Sequence, residues 1–357
     1  MRIAQIAPLA ERVPPKTYGG TERVVHALTE ELVRRGHEVT LFASGDSKTS
    51  ARLHSVYPRA LREENVPDLY GANHWTLLSI GTAYAMQEEF DVIHDHLAPL
   101  SLPIANLATT PTVITMHGLF TPEGKKLFSA FRKPSVVTVS HAQRRAAPHA
   151  NHACTVHNGL PMENYPFGAK GGEYLLFVGR ISMEKGVHHA IRVAQKLDMP
   201  LIIAAKLDSM DKPYFDEYVR PHLSRRITWV GEVDERTRNA LMARAHCFLH
   251  PVTWREPFGL TIIEAMACGC PVVAFNKGSI PELVVHGKTG FVVENIGEMV
   301  AAVEKAGELD RAACRAHVLA HFNAKRMADG YEALYTRMIA ERAKRKSPAH
   351  PILVPIR

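Results

Sequence analysis

The 357-residue chain is 46% hydrophobic, enough to build cores for two domains of about 100–200 residues each. Its 43 basic and 36 acidic side chains leave a net charge of +7, a balance that suits phosphate-bearing ligands or an anionic membrane surface. No apolar run reaches the ~18 residues of a membrane span, MRIAQIAPLA is too short for a secretory signal, and five scattered cysteines exclude a disulfide framework, so a reduced cytoplasm is expected.

In chain order, Arg2–Ala7 reads as a buried parallel strand, followed by a loop with Pro14, Pro15 and the pair Gly19-Gly20. Thr21 is the expected cap of a helix with Val24, Val25, Leu28 and Leu32 on one face. Gly36 stops that helix, and Glu38–Ser44 is the second strand of a βαβ unit. A glycine loop in this place can cradle a phosphate or let a sugar approach; a plain turn uses the same residues. The Gly-x-Gly-x-x-Gly dinucleotide fingerprint is absent, which counts against a nicotinamide oxidoreductase.

Further strands are expected at Asp91–His94, Thr112–Met116, Val136–Ser140 and Thr155–His157, with helical patterns between them. Three of them end in His94-Asp95-His96, His117-Gly118 and Ser140-His141, and parallel sheets bind ligands at these carboxyl ends. His94 and His96 are either a metal pair or strand-end hydrogen-bonding groups, and no third ligand stands at a recognisable spacing. His117 is either a buried hydrogen-bonded histidine or a ligand-facing one.

Gly and Pro crowd residues 159–173 without periodicity, which marks a linker. A second domain then opens with the strand Tyr174–Val178 and the loop Gly179-Arg180-Ile181-Ser182-Met183-Glu184-Lys185-Gly186 before a helix to about Leu197. Arg180 and Lys185 can converge on one diphosphate, or stay solvated. Strands follow at Leu201–Ala205, Ile227–Val230, Cys247–His250, Val272–Ala274 and Phe291–Val293, with a helix over Asp234–Ala245. Asp208 and Asp211 are the nearest approach to an Asp-x-Asp metal pair and fit a polar loop better. Cys268 and Cys270 lack the second pair of a zinc site.

Within Pro251–Glu294, Glu256 precedes Pro257-Phe258-Gly259, and Glu264 falls inside an apolar run, Leu260–Ala267, that reads as a helix. The helix begins near Gly259 or Leu260, and such an end attracts phosphate. Glu256 and Glu264 then offer two hydroxyl acceptors beside it, or are an ordinary loop charge and a helix polar face. The last helices are expected at Gly297–Glu308, Asp310–His321 and Ala324–Lys344. The chain then carries a basic cluster, Arg342, Lys344, Arg345 and Lys346, and a patternless tail, Pro348–Arg357. That cluster reads as a solvated, frayed end or as a peripheral contact with the inner face of a membrane.

The run EPFGLTIIEAMACGCPVV, with Gly278, Pro281, Glu282 and Gly287-Lys288-Thr289-Gly290 after it, resembles the donor-site signature of the family-four, group 1 retaining glycosyltransferases. The element Gly179-Arg180 to Glu184-Lys185-Gly186 resembles the same family's. One departure is Gly278-Ser279, where the family often has a Gly-Gly pair. The resemblance implies the α/β GT-B fold, two Rossmann-like parallel-sheet domains (1–165 on the acceptor side, 172–323 on the donor side) facing across a cleft. A C-terminal helix, 324–346, crosses back to the first domain. It implies transfer of a hexose-type sugar from a UDP-, GDP- or ADP-linked donor to an acceptor hydroxyl, with no cofactor, no metal and no nucleic-acid partner. By the same resemblance Arg180 and Lys185 hold the diphosphate, Glu264 the ribose and Glu256 the sugar hydroxyls. His117 stands near the transferred sugar. Gly19, Gly20, Gly231, Val233, Phe258, Gly259 and Leu260 complete the donor site. A nucleotide-sugar epimerase or hydrolase of the same fold, or a non-catalytic sugar-nucleotide binder, remains the alternative.

Overall fold

The computed structural model describes residues 1–64 and 69–346. Runs such as Thr112–Met116 are buried at every position, as strands covered by helices on both faces must be. Seven strands pair in parallel in the first sheet: β1 (Arg2–Ile6), β2 (Glu38–Phe42), β3 (Arg52–His54), β4 (Val92–Asp95), β5 (Thr112–Met116), β6 (Ser135–Thr138) and β7 (His152–Thr155). Their spatial order is β3-β2-β1-β4-β5-β6-β7. The second sheet holds β8 (Leu175–Arg180), β9 (Leu201–Lys206), β10 (Ile227–Gly231), β11 (Cys247–His250), β12 (Val272–Phe275) and β13 (Gly290–Val293), also parallel, ordered β10-β9-β8-β11-β12-β13. Strand order therefore reverses beside β1 and beside β8, and a crevice opens at the carboxyl ends there. This is the two-domain, doubly Rossmann-like GT-B arrangement.

Several boundaries move for physical reasons. The first helix is Gly20–Arg34, and its cap is Gly19 (φ 139°) rather than Thr21, with no side chain capping it. Only glycine suits that position, because a Cβ there would lie 2.7 Å from Pro15 Cβ. β6 stops at Thr138, because the Ser140 hydroxyl instead accepts from Gln143 N and caps the helix His141–Arg145. The edge strand β3, three residues long, has too little alternation to be seen in the sequence.

The helix Ala324–Lys346 leaves the second domain and packs on the first. Arg35, just past the helix Gly20–Arg34, pairs with its Asp329 (2.7 Å) and Glu332 (2.6 Å). Its Tyr331 and Tyr335 are fully buried against the first sheet. One apolar core consequently runs from Ile3 and Val113 through Met162 and Tyr165 to Phe248 and Ile262. Among the described residues, no helix is long and apolar enough to cross a membrane. Of the basic cluster, Arg342 lies 3.4 Å from Thr110 and Lys344 is exposed; the side chains of Arg345 and Lys346 and the tail Pro348–Arg357 lie outside the described residues.

Candidate active site

The two reversal points face one another across a cavity of about 420 Å³. Its second-domain wall begins where β8 ends. Arg180 is ion-paired with Glu184 and stands 3.4 Å from Asp211. Lys185, five residues on in a short 3₁₀ turn, places Nζ 2.7 Å from Glu256 Oε2 and 4.5 Å from the Trp254 ring. Trp254 Nε1 donates to the same carboxylate oxygen at 2.8 Å, and His250 Nε2 lies 3.7 Å away. Burial pushes the Glu256 carboxyl up, but Lys185 and His250 more than reverse this and hold it at about 2. Glu256 is thus an anion held in an ion pair with Lys185.

The helix Leu260–Ala267 starts at Gly259 with no side-chain cap, and Gly259, Leu260 and Thr261 line the cavity. Its positive end therefore faces the same space as Arg180 and Lys185. The Gly278-Ser279 departure is compatible with this turn. A Cβ on Gly278 would fall 2.2 Å from Glu256 O, whereas the buried Ser279 hydroxyl donates to Phe258 O at 2.5 Å.

Glu264 differs most from expectation. It has no exposed surface and does not line the cavity. Its Oε1 accepts from Arg23, from Arg238 Nη2 at 2.8 Å and from Tyr165 Oη at 3.0 Å, while Oε2 is buried without a partner among the described residues. A buried carboxylate persists only when paired, and here the pairing reaches across both domains. Arg23 and Arg238, which the sequence reading missed, are what the cavity meets in its place. Val233 and Phe258 line the wall, whereas Gly231 (φ 77°) makes the turn just behind Glu232 and does not.

The first-domain wall is of another kind. Gly19 and Gly20 bring the loop close, Gly20 so near that a Cβ would lie 3.1 Å from Leu260 Cδ1. Glu22, a further missed residue, lines the cavity at 5% exposure, and burial raises its carboxyl to about 7. His117, just beyond β5, is partly buried, and burial lowers it to about 4, so it is neutral at physiological pH. All four ring nitrogens of His94 and His96 are taken up in hydrogen bonds to Thr115, Tyr335, His117 and Gln5, which answers the open choice in favour of strand-end bonding. Asp208 pairs with Lys206 at 2.8 Å and Asp211 with Arg180, so these two carboxylates are part of a polar loop. The domains are tied at the rim: Glu282 accepts from the His141 and Ala142 N–H groups at 2.9 and 2.7 Å, and Tyr18 N donates to Glu232.

Against known proteins, the profile of the group 1 glycosyl transferases matches residues 166–315, and that of glycosyltransferase family 4 matches residues 18–163. The chain belongs to the group 1, family-four glycosyltransferases. Among relatives of this transferase, glycogen synthase of Mycobacterium tuberculosis is 26% identical over 406 residues, covering 95% of this chain and 96% of its own. Sucrose-phosphate synthase from Thermosynechococcus elongatus superposes with a TM-score of 0.80 at 20% identity, over 95% of this chain and 99% of that one. Anabaena HepE, solved in complex with UDP and glucose, gives 0.72 at 20% identity, over 94% and 100%. The transferase thus shares its fold with these solved structures over almost its whole length. Of the residues missed beforehand, Trp254 stands two before Glu256, and Arg23 one turn after Gly19-Gly20. Proximity to a motif is the one signal that could have found either.

Proposed function

We propose that this glycosyltransferase is a retaining, metal-independent enzyme that moves a hexose-type sugar from a nucleoside diphosphate to an acceptor hydroxyl. The observation that carries the reading is the convergence of Arg180, Lys185 and the uncapped helix end at Gly259-Leu260 on one interdomain cavity. As the bond from the anomeric carbon to the phosphate oxygen breaks, negative charge grows on the diphosphate, and fixed positive groups stabilise it without a metal ion. The Lys185–Glu256 pair suits a donor: the lysine turns to the diphosphate, and the released carboxylate accepts from sugar hydroxyls. Oε2 of Glu264, which has no partner among the described residues, is a natural acceptor for a ribose hydroxyl once Arg23 draws aside. The acceptor oxygen attacks the anomeric carbon from the face the phosphate leaves, and its proton passes to the departing phosphate oxygen. Configuration is then kept with no enzyme carboxylate acting as nucleophile. A nucleotide-sugar donor also agrees with HepE, which is solved with UDP and with UDP-glucose.

The test is turnover of UDP-, GDP- and ADP-hexoses against a panel of hydroxyl acceptors, with the anomeric configuration of the product read by NMR. Transfer with retention supports the reading. Free sugar or an epimer as the main product, or tight binding with no turnover, overturns it. The basic end of the last helix suits contact with an anionic membrane, and co-sedimentation with anionic vesicles tests that separately.

A further inference from the structure

His117 faces the cavity on one side and, on the other, enters a chain of hydrogen bonds that ends on the last helix. Its Nε2 lies 2.8 Å from His96 Nδ1, and His96 Nε2 lies 2.8 Å from Gln5 Oε1. The Gln5 amide nitrogen donates to Tyr335 Oη at 3.4 Å, and that hydroxyl lies 2.6 Å from His94 Nδ1. His94 Nε2 lies 2.7 Å from Thr115 Oγ1, which lies 2.8 Å from Tyr331 Oη. Apart from His117 at the cavity and His96 at 5% exposure, every member is fully buried. Gln5 and His94 are register partners on β1 and β4, so the chain crosses the first sheet where its strand order reverses.

The chain has a direction. Burial holds His94 and His96 well below the usual histidine range, so each ring is neutral and offers one donor and one acceptor. Gln5 turns its carbonyl toward His96, which must then carry its proton on Nε2 and accept at Nδ1. His117 must therefore donate through Nε2, and its Nδ1, which has no partner among the described residues, keeps a lone pair. On the far side the Gln5 amide donates to Tyr335, whose hydroxyl donates to His94 Nδ1. No member reverses alone, because two donors or two acceptors would then meet where no water can separate them. Apolar side chains would fill the same space; a directional chain adds a defined proton position at its cavity end.

We propose that this chain, with His96 and Gln5 as positioning residues and Tyr335 anchoring it from the last helix, holds His117 in its Nε2–H tautomer, so that the cavity meets a hydrogen-bond acceptor suited to a sugar hydroxyl. The inference about the hydroxyl rests on the reading of the cavity as a nucleotide-sugar site; the tautomer does not.

The experiment uses the full-length protein labelled with ¹⁵N-histidine, with His117 assigned by the signals lost in His117→Gln. An unprotonated Nδ1 and a protonated Nε2 are expected, and the opposite tautomer overturns the proposal without any variant having to fold. Gln5→Glu keeps an acceptor toward His96 and should keep both the tautomer and kcat within about threefold. Gln5→Leu removes that acceptor and should mix the tautomers, with kcat falling on the order of 10- to 100-fold and KM for the nucleotide sugar little changed. Tyr335→Phe should mix them as well. An unmixed tautomer in Gln5→Leu overturns the relay. Tautomers as expected in a protein that transfers no sugar would leave the relay standing and remove the proposed reaction.

Discussion

Two parts of the cavity, the loop around Lys185 and the surroundings of His117, handle charge in opposite ways. The second-domain wall is ionic and internally neutralised: Lys185 with Glu256, Arg180 with Glu184 and Asp211. The first-domain wall also carries charge, Arg62 with Glu11 and Arg23 with Glu264, but around His117 it presents a neutral imidazole backed by neutral hydrogen bonds, and at Glu22 a buried carboxyl that burial pushes toward the protonated form. A leaving diphosphate needs positive charge that can be released toward it, so pairs that open suit the donor side. The sugar itself carries hydroxyls, which need direction more than charge, and a fixed tautomer supplies that.

The comparison breaks most readily at Lys185. Lys185→Ala should cut kcat by about a hundredfold or more, as loss of one charge-stabilising contact does. It should also lower the melting temperature, because Glu256 is left buried without its cation. Lys185→Ala combined with Glu256→Gln should regain the melting temperature but not the activity; recovery of turnover would place the diphosphate elsewhere. Arg180→Ala should lose comparable activity with less change in melting, since Arg180 is more exposed.

The two glutamates sharpen the division within the charged wall. Glu264→Gln should weaken binding of the free nucleoside diphosphate about tenfold or more, whereas Glu256→Gln should leave it nearly unchanged while cutting turnover. Isothermal calorimetry with the nucleotide alone decides this, and equal losses would merge the two roles. Glutamine is the better probe at 264, because alanine would strand Arg23 and Arg238 together.

Glu22 tests the first-domain side through stability. Its folded value of about 7 lies above the ordinary 4.5, so the folded state holds the proton more tightly and stability falls as pH rises from about 5 through 7. That shift corresponds to about 3 kcal/mol at most. Glu22→Gln should therefore unfold later than wild type at pH 8 and together with it at pH 5, in parallel denaturant titrations. A constant difference at both values would show Glu22 to be ordinary in the folded state. The smallest effect expected is from EDTA: exhaustive chelation and desalting should leave turnover within about twofold if Arg180 and Lys185 neutralise the phosphates as proposed. Activity restored only by Mg²⁺ or Mn²⁺ would contradict the charge assignment of the whole second wall.

Much of this architecture is written in local pattern. Thr112–Met116 and Cys247–His250 are strands at the residues expected, and the helix at Leu260 begins where Pro257 and Gly259 imply. These depend on residues within a few positions of one another, whose periodicity and turn chemistry are visible in one dimension. The cleft location was legible too, because parallel strands deliver their carboxyl ends to one edge.

Partnership was not legible. Arg23 reaches Glu264 across 241 positions, and Tyr335 reaches His94 across the same separation. The pattern singled out Lys185, Glu256, Glu264 and His117 as candidates, but not that two of them neutralise each other. Nor did it show that Glu264 lies beneath two arginines, or that His117 is tied to the last helix. Sequence alone determined most of the elements, though not the edge strand β3, together with their order and the residue types delivered to the cleft, since each follows from short-range geometry. Only the tertiary structure decided which charges pair, which carboxyl is raised and which lowered, and which way a proton points, because burial and the partners brought together by folding set all three.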